Sequence, residues 1–263
     1  MSIRTDLAIE NEQNSFESRK IGQVKLSFLQ NSLGKYYTLE FDSIEKVTDT
    51  HTIKKEIFNA LVNLLPQKKE KILVVGLGNY EITSDSVGPR VAEKILATRH
   101  IAGEFAESIG LKGLKSVSVI APNVLGKTGI EVCELVLGAV NTVKPDAVIA
   151  VDALCSKSVS RLFSCIQLCD CGIAPGSGVK NSRKELSEKT LGVPVVAIGV
   201  PTVVDALTIA FELTGKEAKQ HSDMIVTPKD ADLLCKRISD CLSEALNIFL
   251  QPDIEEDIIL SLV

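Results

Sequence analysis

Apolar and polar positions alternate with two different periods along this chain. Short β-type runs at Val24–Leu29 and Tyr36–Phe41 flank Asn31-Ser32-Leu33-Gly34 and predict a hairpin. From Lys54 to Leu65, Ile57, Phe58, Leu61, Val62, Leu64 and Leu65 recur at helical spacing, and Pro66 marks a stop. Lys71 to Val75 is a mostly apolar run entering Gly76-Leu77-Gly78-Asn79, the pattern of a buried parallel strand that turns into a loop. A helical pattern covers Val87–Leu96, and Val117–Ala121 is a second core strand. A helix over Gly129–Val143 would turn Ile130, Cys133, Val136, Leu137 and Val140 inward. Ala147–Val151 runs into Asp152, and Pro194–Val200 runs into Pro201-Thr202. Residues 203–213 and 228–250 read as helices, the latter with Leu234, Ile238, Cys241, Ala245 and Phe249 on one face.

Strands alternating with helices predict an α/β fold with a doubly wound, mostly parallel sheet. Residues 1–22 are polar and read as a mobile N-terminal arm or pro-segment, which leaves 23–263 as a single α/β domain. Hydrophobic residues make up 45% of the 263, enough for a sizeable core without tryptophan. A net charge of −5 argues against a nucleic-acid scaffold. No apolar run is long enough to span a membrane, and Met1–Asp6 has no signal-peptide stretch. Seven cysteines cannot all pair, so reduced thiols in a cytoplasmic compartment are expected.

Candidate chemistry centres on two carboxylates. Asp85 and Asp152 each follow a core strand, and the carboxyl ends of such strands line the ligand crevice of an open α/β sheet. Two carboxylates close together there cannot both ionise easily, which yields an acid and a base in one site. The same positions suit helix N-caps, and spacing leaves both readings open. Gly76-Leu77-Gly78 begins a dinucleotide fingerprint, but Glu81 stands where its third glycine belongs. The alternative is a sharp turn beside another backbone. Cys165, Cys169 and Cys171 fit no zinc-ligand spacing, and no metal or cofactor is expected. His51, His100 and His221 are scattered. Ser177 lies in Pro175-Gly176-Ser177-Gly178, a glycine-rich loop and not a nucleophile elbow. Lys180, Arg183 and Lys184 follow it and read either as the grip on an acidic substrate or as a solvated loop. Finally, Arg4-Thr5-Asp6-Leu7-Ala8-Ile9-Glu10 reads either as a frayed terminus or as a protease substrate.

Several long motifs in one order resemble the germination (spore) protease family. They are Arg4–Glu10, Val74-Val75-Gly76-Leu77-Gly78-Asn79, Thr83-Ser84-Asp85-Ser86-Val87-Gly88-Pro89 and Thr98-Arg99-His100. Thr128-Gly129-Ile130-Glu131, Val151-Asp152-Ala153-Leu154 and Pro175-Gly176-Ser177-Gly178-Val179 continue the series. Ala197 to Ala206 and Met224-Ile225-Val226-Thr227-Pro228-Lys229 close it. The resemblance implies an atypical aspartic endopeptidase that degrades the small acid-soluble, DNA-coating proteins of spores during germination. It implies a fold related to hydrogenase-maturation proteases, whose corresponding acids grip nickel. It also implies a tetramer in the forespore or spore core, made as a zymogen that trims its own N-terminus. The family's essential aspartates match Asp85 and Asp152. Its substrate pattern, an acid, a large apolar residue, Ala and a later acid, matches Asp6-Leu7-Ala8-Ile9-Glu10, so self-cleavage between Asp6 and Leu7 is expected. Lys180, Arg183 and Lys184 are the candidates to pair with Asp6 or Glu10. Ala174 and Cys155 depart from the family pattern. The alternatives are a metal-linked maturation-type peptidase and a catalytically silent binding or regulatory relative.

Overall fold

The computed structural model describes residues 5–11, 15–65, 69–101, 106, 108, 113–174, 184–216 and 224–261. Pro66, Ser177 and His221 lie outside these. The central elements are β4 (Lys71–Gly76), β5 (Ser116–Ile120), β6 (Ala147–Ser156) and β8 (Val195–Asp205). They pair in parallel in the order β8-β6-β4-β5. Their near-continuous Val, Ile, Leu and Ala content follows from burial on both faces. Ile72, Val74, Ile149 and Val151 face one layer, while Leu73, Val75, Val148 and Ala150 face the other.

Helices cover both faces, as doubly wound architecture requires. On one side lie α1 (His51–Leu64), α2 (Val87–Glu93) and, later in the chain, α7 (Ala231–Leu250). Leu234, Ile238, Cys241, Ala245 and Phe249 of α7 are all buried, as its periodicity predicts. The turn α3 (Leu125–Thr128) is followed by α4 (Val132–Val143), which shares the opposite face with α5 (Glu188–Leu191). The α4 helix starts after the left-handed Gly129, so Val132 takes the inward position and Ile130 stays exposed, contrary to the expected inner face. α6 (Ala206–Thr214) and α8 (Glu256–Ser261) complete the helices used below.

The parallel half is extended by antiparallel strands. β1 (Glu17–Ile21), β2 (Val24–Gln30), β3 (Lys35–Glu40) and β7 (Cys165–Cys169) continue the sheet from β8 in the order β1-β2-β3-β7-β8. The expected hairpin is β2–β3. β1 corrects the reading of residues 1–22 as a mobile arm. Glu17–Ile21 pairs along its whole length with β2, although four of its five side chains are exposed. A polar edge strand leaves no apolar alternation to read, because its ladder is made by the backbone. A short β9 (Ile225–Val226) pairs with the far end of β8.

Two strand ends also differ from expectation. β6 runs on past Asp152 to Ser156, and β8 runs to Asp205, where residues 203–205 read as helix. Val203 and Val204 belong to a ladder, and the Asp205 carboxylate accepts the Leu207 N–H at 2.9 Å to cap α6. Among the described residues, no helix is long and apolar enough to cross a membrane.

Candidate active site

The site forms where β4 ends and β6 does not. The last β4–β6 pair is Gly76 with Val151, so Asp152 is the first β6 residue beyond its neighbour. The chain leaving β4 folds back over this step, held by the Leu77 N–H donating to Val151 O at 2.8 Å. Glycine makes the approach possible. A Cβ on Gly88 would meet Leu77 O at 2.2 Å and Val151 O at 2.4 Å. Gly78 has φ +114°, and a Cβ there would sit 2.1 Å from Asp85 O. The glycine run is therefore filled by this chain's own backbone, the turn reading of that motif, and leaves no cradle for a pyrophosphate.

The Thr83–Asp85 turn carries the first carboxylate and is tied down from three sides. The Asn79 N–H donates to the Asp85 carboxylate at 2.8 Å and to Asp85 O at 3.1 Å. The Thr202 hydroxyl donates to Ser84 O at 2.6 Å, and the Cys235 thiol of α7 to Thr83 O at 3.0 Å. Thr202 is available because the β6–β8 register shifts between Leu154 and Cys155, leaving Thr202 without an opposite residue. This is the bulge expected beside functional sites, where it re-aims a side chain. Nothing in the sequence pattern signals it.

Asp85 is half-buried and Asp152 is 4% exposed. Neither caps a helix. The N-cap of α2 is Ser86, without a side-chain cap bond, and Asp152 sits inside a strand with its carboxylate accepting the Ala153 N–H at 2.9 Å. Both line one cavity of about 190 Å³. Leu77, Val124, Val132, Leu154 and Val203 give it apolar walls. His51 and His100 are exposed and do not line it.

A third carboxylate lines the same cavity: Asp6. The segment read as a frayed end or a substrate is docked across the end of β6. The Asp6 N–H donates to Cys155 O at 3.0 Å, and the Asp6 carboxylate accepts the Cys155 N–H at 2.8 Å. Leu7 is 1% exposed, packed with Leu154 and Cys165. The side-chain amide of Gln167 accepts the Ala8 N–H at 2.7 Å and donates to Asp6 O at 3.3 Å. Glu10 is held by Arg161, whose Nη1 lies 3.0 Å from it. Lys184 instead reaches Glu134 at 3.7 Å, so its expected pairing with Asp6 or Glu10 is corrected. Glu134 lies on α4, on the other face of the sheet from α1 and α7. Lys180 and Arg183 lie outside the described residues. Arg161 and Gln167 are distant in sequence from the segment they hold, and no pattern near either announced them.

Burial separates the cysteines. Desolvation pushes the Cys155 thiol up to about 12, reinforced by Asp6, and raises Cys165 as well. Cys171 is brought down to about 7 by its hydrogen bond with Cys169, whose sulfur lies 3.1 Å away, and further by the Tyr36 hydroxyl. Cys171 is half-buried. In the folded protein iodoacetamide is expected to label Cys171 first, with a rate rising about tenfold per pH unit below pH 7 and levelling above it. Peptide mapping after timed labelling checks this. Equal labelling of Cys155 and Cys171 would contradict it. Among the described residues, no group of three or more His, Cys, Asp or Glu side chains is placed to hold a metal ion.

Residues 7–215, a span holding both cavity-lining core aspartates, match the family model described as germination protease. The chain belongs to the germination protease family. It is 37% identical to the germination protease of Clostridium tetani, over 98% of both chains. Identity to that of Caldanaerobacter subterraneus subsp. tengcongensis is 38%, over 97% of this chain and 96% of the relative. Identity to that of Halalkalibacterium halodurans is 47%, over 80% of this chain and 66% of the relative. Among solved structures, a NiFe hydrogenase maturation protease, HycI from Thermococcus kodakarensis, is similar with a TM-score of 0.40 and 16% identity. That match covers 73% of this chain and 98% of the other. Membership in the germination protease family makes this chain a protease, a hydrolase of peptide bonds tied to spore germination. The resemblance expected from its motifs is met.

Proposed function

We propose that this chain is an atypical aspartic endopeptidase whose acid and base are Asp85 and Asp152. The observation that carries the reading is that both carboxylates and the Asp6 end of a substrate-like segment line one cavity. In the proposed reaction the ionised carboxylate takes a proton from water, which attacks the peptide carbonyl. The protonated carboxyl gives its proton to the carbonyl oxygen. As the tetrahedral diol collapses, the other carboxyl passes the proton it took from water to the leaving amine and the first recovers a proton from a diol hydroxyl, so the pair ends with its single proton restored. Gln167 would polarise the carbonyl it already touches, that of Asp6.

The substrates we propose are the small acid-soluble, DNA-coating proteins of spores, degraded in the forespore or spore core by a tetramer. The first substrate is the chain itself, made as a zymogen and cut between Asp6 and Leu7. The segment is already bound over the site, which a frayed terminus would not be. N-terminal sequencing after maturation is expected to read Leu7. Persistence of Met1 in fully active protein would remove the self-processing step and leave the peptidase assignment standing.

Catalysis by this pair needs no metal. Incubation of an acid-soluble spore protein with the purified chain is expected to give the same rate with and without a chelator such as EDTA. Loss of activity with the chelator, restored by one divalent ion, would favour a metal-linked maturation-type peptidase instead.

A further inference from the structure

We infer that Cys169 and Cys171 form a peroxide-reactive dithiol, a site that hydrogen peroxide or an organic peroxide oxidises to an intrachain disulfide and that a small-molecule thiol reduces again. The inference does not depend on the peptidase reading. Residues two apart on a strand share a face but sit about 6.7 Å apart along it, at the far end of the range that a disulfide spans. Here the strand stops between them. β7 ends at Cys169, and the chain bends at Asp170 and Cys171, which leaves the two sulfurs 3.1 Å apart. Joining them closes a gap of about 1 Å.

The bend is held from both sides. On one side the Lys35 N–H donates to the Asp170 carboxylate at 2.7 Å, and the Asp170 N–H donates to Lys35 O at 3.3 Å. Gly34 comes so close that a Cβ on it would meet Asp170 Oδ1 at 2.3 Å and Cys171 Cβ at 3.3 Å. On the other side Gly172 has φ +82°, and a Cβ there would lie 2.3 Å from Leu186 O. Ile173 and Leu186 exchange both main-chain hydrogen bonds, at 2.9 and 2.7 Å. Main chain fixed before and after Cys171 thus sets the sulfur pair in place.

The pair is reachable and polarised. With Asp6, Tyr36 and Gln167 it lines a cavity of about 170 Å³, which neither Asp85 nor Asp152 lines. Cys171 is half-buried, and Cys169 is 5% exposed. The groups acting on Cys171 are the Cys169 thiol of β7, the Tyr36 hydroxyl of β3 and the neighbouring Asp170. The first two stabilise its thiolate by hydrogen bonding. At pH 7 about half of Cys171 is ionised, against about one part in 100,000 of Cys155. Cys171 is therefore the nucleophile, and Cys169 is the thiol that resolves it. The Cys171 thiolate attacks one peroxide oxygen, the O–O bond breaks, and the departing alkoxide or hydroxide takes a proton from solvent. This leaves a sulfenic acid on Cys171. The Cys169 sulfur then attacks the Cys171 sulfur, and the hydroxyl leaves with the Cys169 proton as water. Two electrons pass from the sulfurs to the peroxide. Two equivalents of a small thiol reverse the step and become a disulfide themselves.

The test treats the reduced, full-length chain with one equivalent of hydrogen peroxide at pH 7, alkylates it in denaturant and maps its tryptic peptides. Peptide 162–180 carries Cys165, Cys169 and Cys171. All three should alkylate before oxidation and only Cys165 after it, and dithiothreitol should restore all three. In Cys169→Ser, where the serine keeps a hydroxyl to donate, the reaction should stop at the sulfenic acid, trapped on Cys171 by dimedone. In Cys171→Ser, loss of thiol from this peptide should slow at least about tenfold, because the remaining thiol of the pair is buried. Three alkylated cysteines after peroxide would overturn the site, as would a disulfide from either residue to Cys165 or to a second chain. So would the absence of a dimedone adduct at Cys171 in Cys169→Ser, or an unslowed reaction in folded Cys171→Ser.

Discussion

Asp85→Asn and Asp152→Asn are each expected to lower the rate of peptide-bond cleavage by at least about a thousandfold, while the fold survives. The amide has nearly the shape of the carboxylate. After Asp85→Asn the side-chain oxygen still accepts the Asn79 N–H, and after Asp152→Asn it still accepts the Ala153 N–H. What disappears is the proton that the pair passes to and from water. Thermal unfolding should therefore stay close to that of the parent chain, and turnover of an acid-soluble spore protein, followed by gel or mass spectrometry, should fall to background. Near-parental cleavage by either folded variant would remove that aspartate from the chemistry.

The second large effect concerns how the first carboxylate is placed. Gly88→Ala is expected to destabilise the protein by about 3 kcal/mol, at the upper end of overpacking costs. The new methyl would meet two backbone oxygens, Leu77 O and Val151 O, one on each strand-end segment that α2 covers. Backbone cannot rotate aside as a flexible side chain can. For a chain of this size the melting temperature should drop by about 10 °C. Activity should fall further than the folded fraction alone accounts for, because α2 follows directly on the Asp85 turn. Gly138→Ala is the control. Nothing lies within 4 Å of a Cβ at that exposed position inside α4. Removing a helical glycine there should stabilise by up to about 1 kcal/mol. Equal melting temperatures for the two variants would show that the close approach at Gly88 is not holding the site together.

Much of the fold was legible because its central strands are buried on both faces. A parallel strand sandwiched between helix layers must be apolar throughout, so Lys71–Val75 and Ala147–Val151 could be read directly. The two aspartates stood out for the same reason: a charge soon after such a run lands at the crevice. Whether they cap helices was not legible, since N-caps and crevice carboxylates occupy the same sequence positions. Only the fold separates them, by placing Ser86 and not Asp85 at the N-cap of α2 and carrying β6 on to Ser156. The β1 edge strand escaped because its ladder is backbone and its side chains face water. Residues 203–205 carry no sequence signal that separates strand from helix, because Val203 and Val204 suit either element until their β6 partners are known. The residues that hold the docked segment were invisible for a further reason. Arg161 and Gln167 come from a short turn and an antiparallel strand, and only tertiary pairing brings them onto Asp6–Glu10. Charge alone pointed to Lys180, Arg183 and Lys184, and of these Lys184 pairs elsewhere.

The most direct test incubates the full-length chain and its Asp152→Asn variant, side by side, with an acid-soluble spore protein and reads both proteins by intact mass. The parent chain is expected to fragment the substrate and itself to lose Met1 to Asp6, leaving Leu7 as its first residue, while the folded variant does neither. Fragments appearing at the same rate with the variant would contradict the role of Asp152.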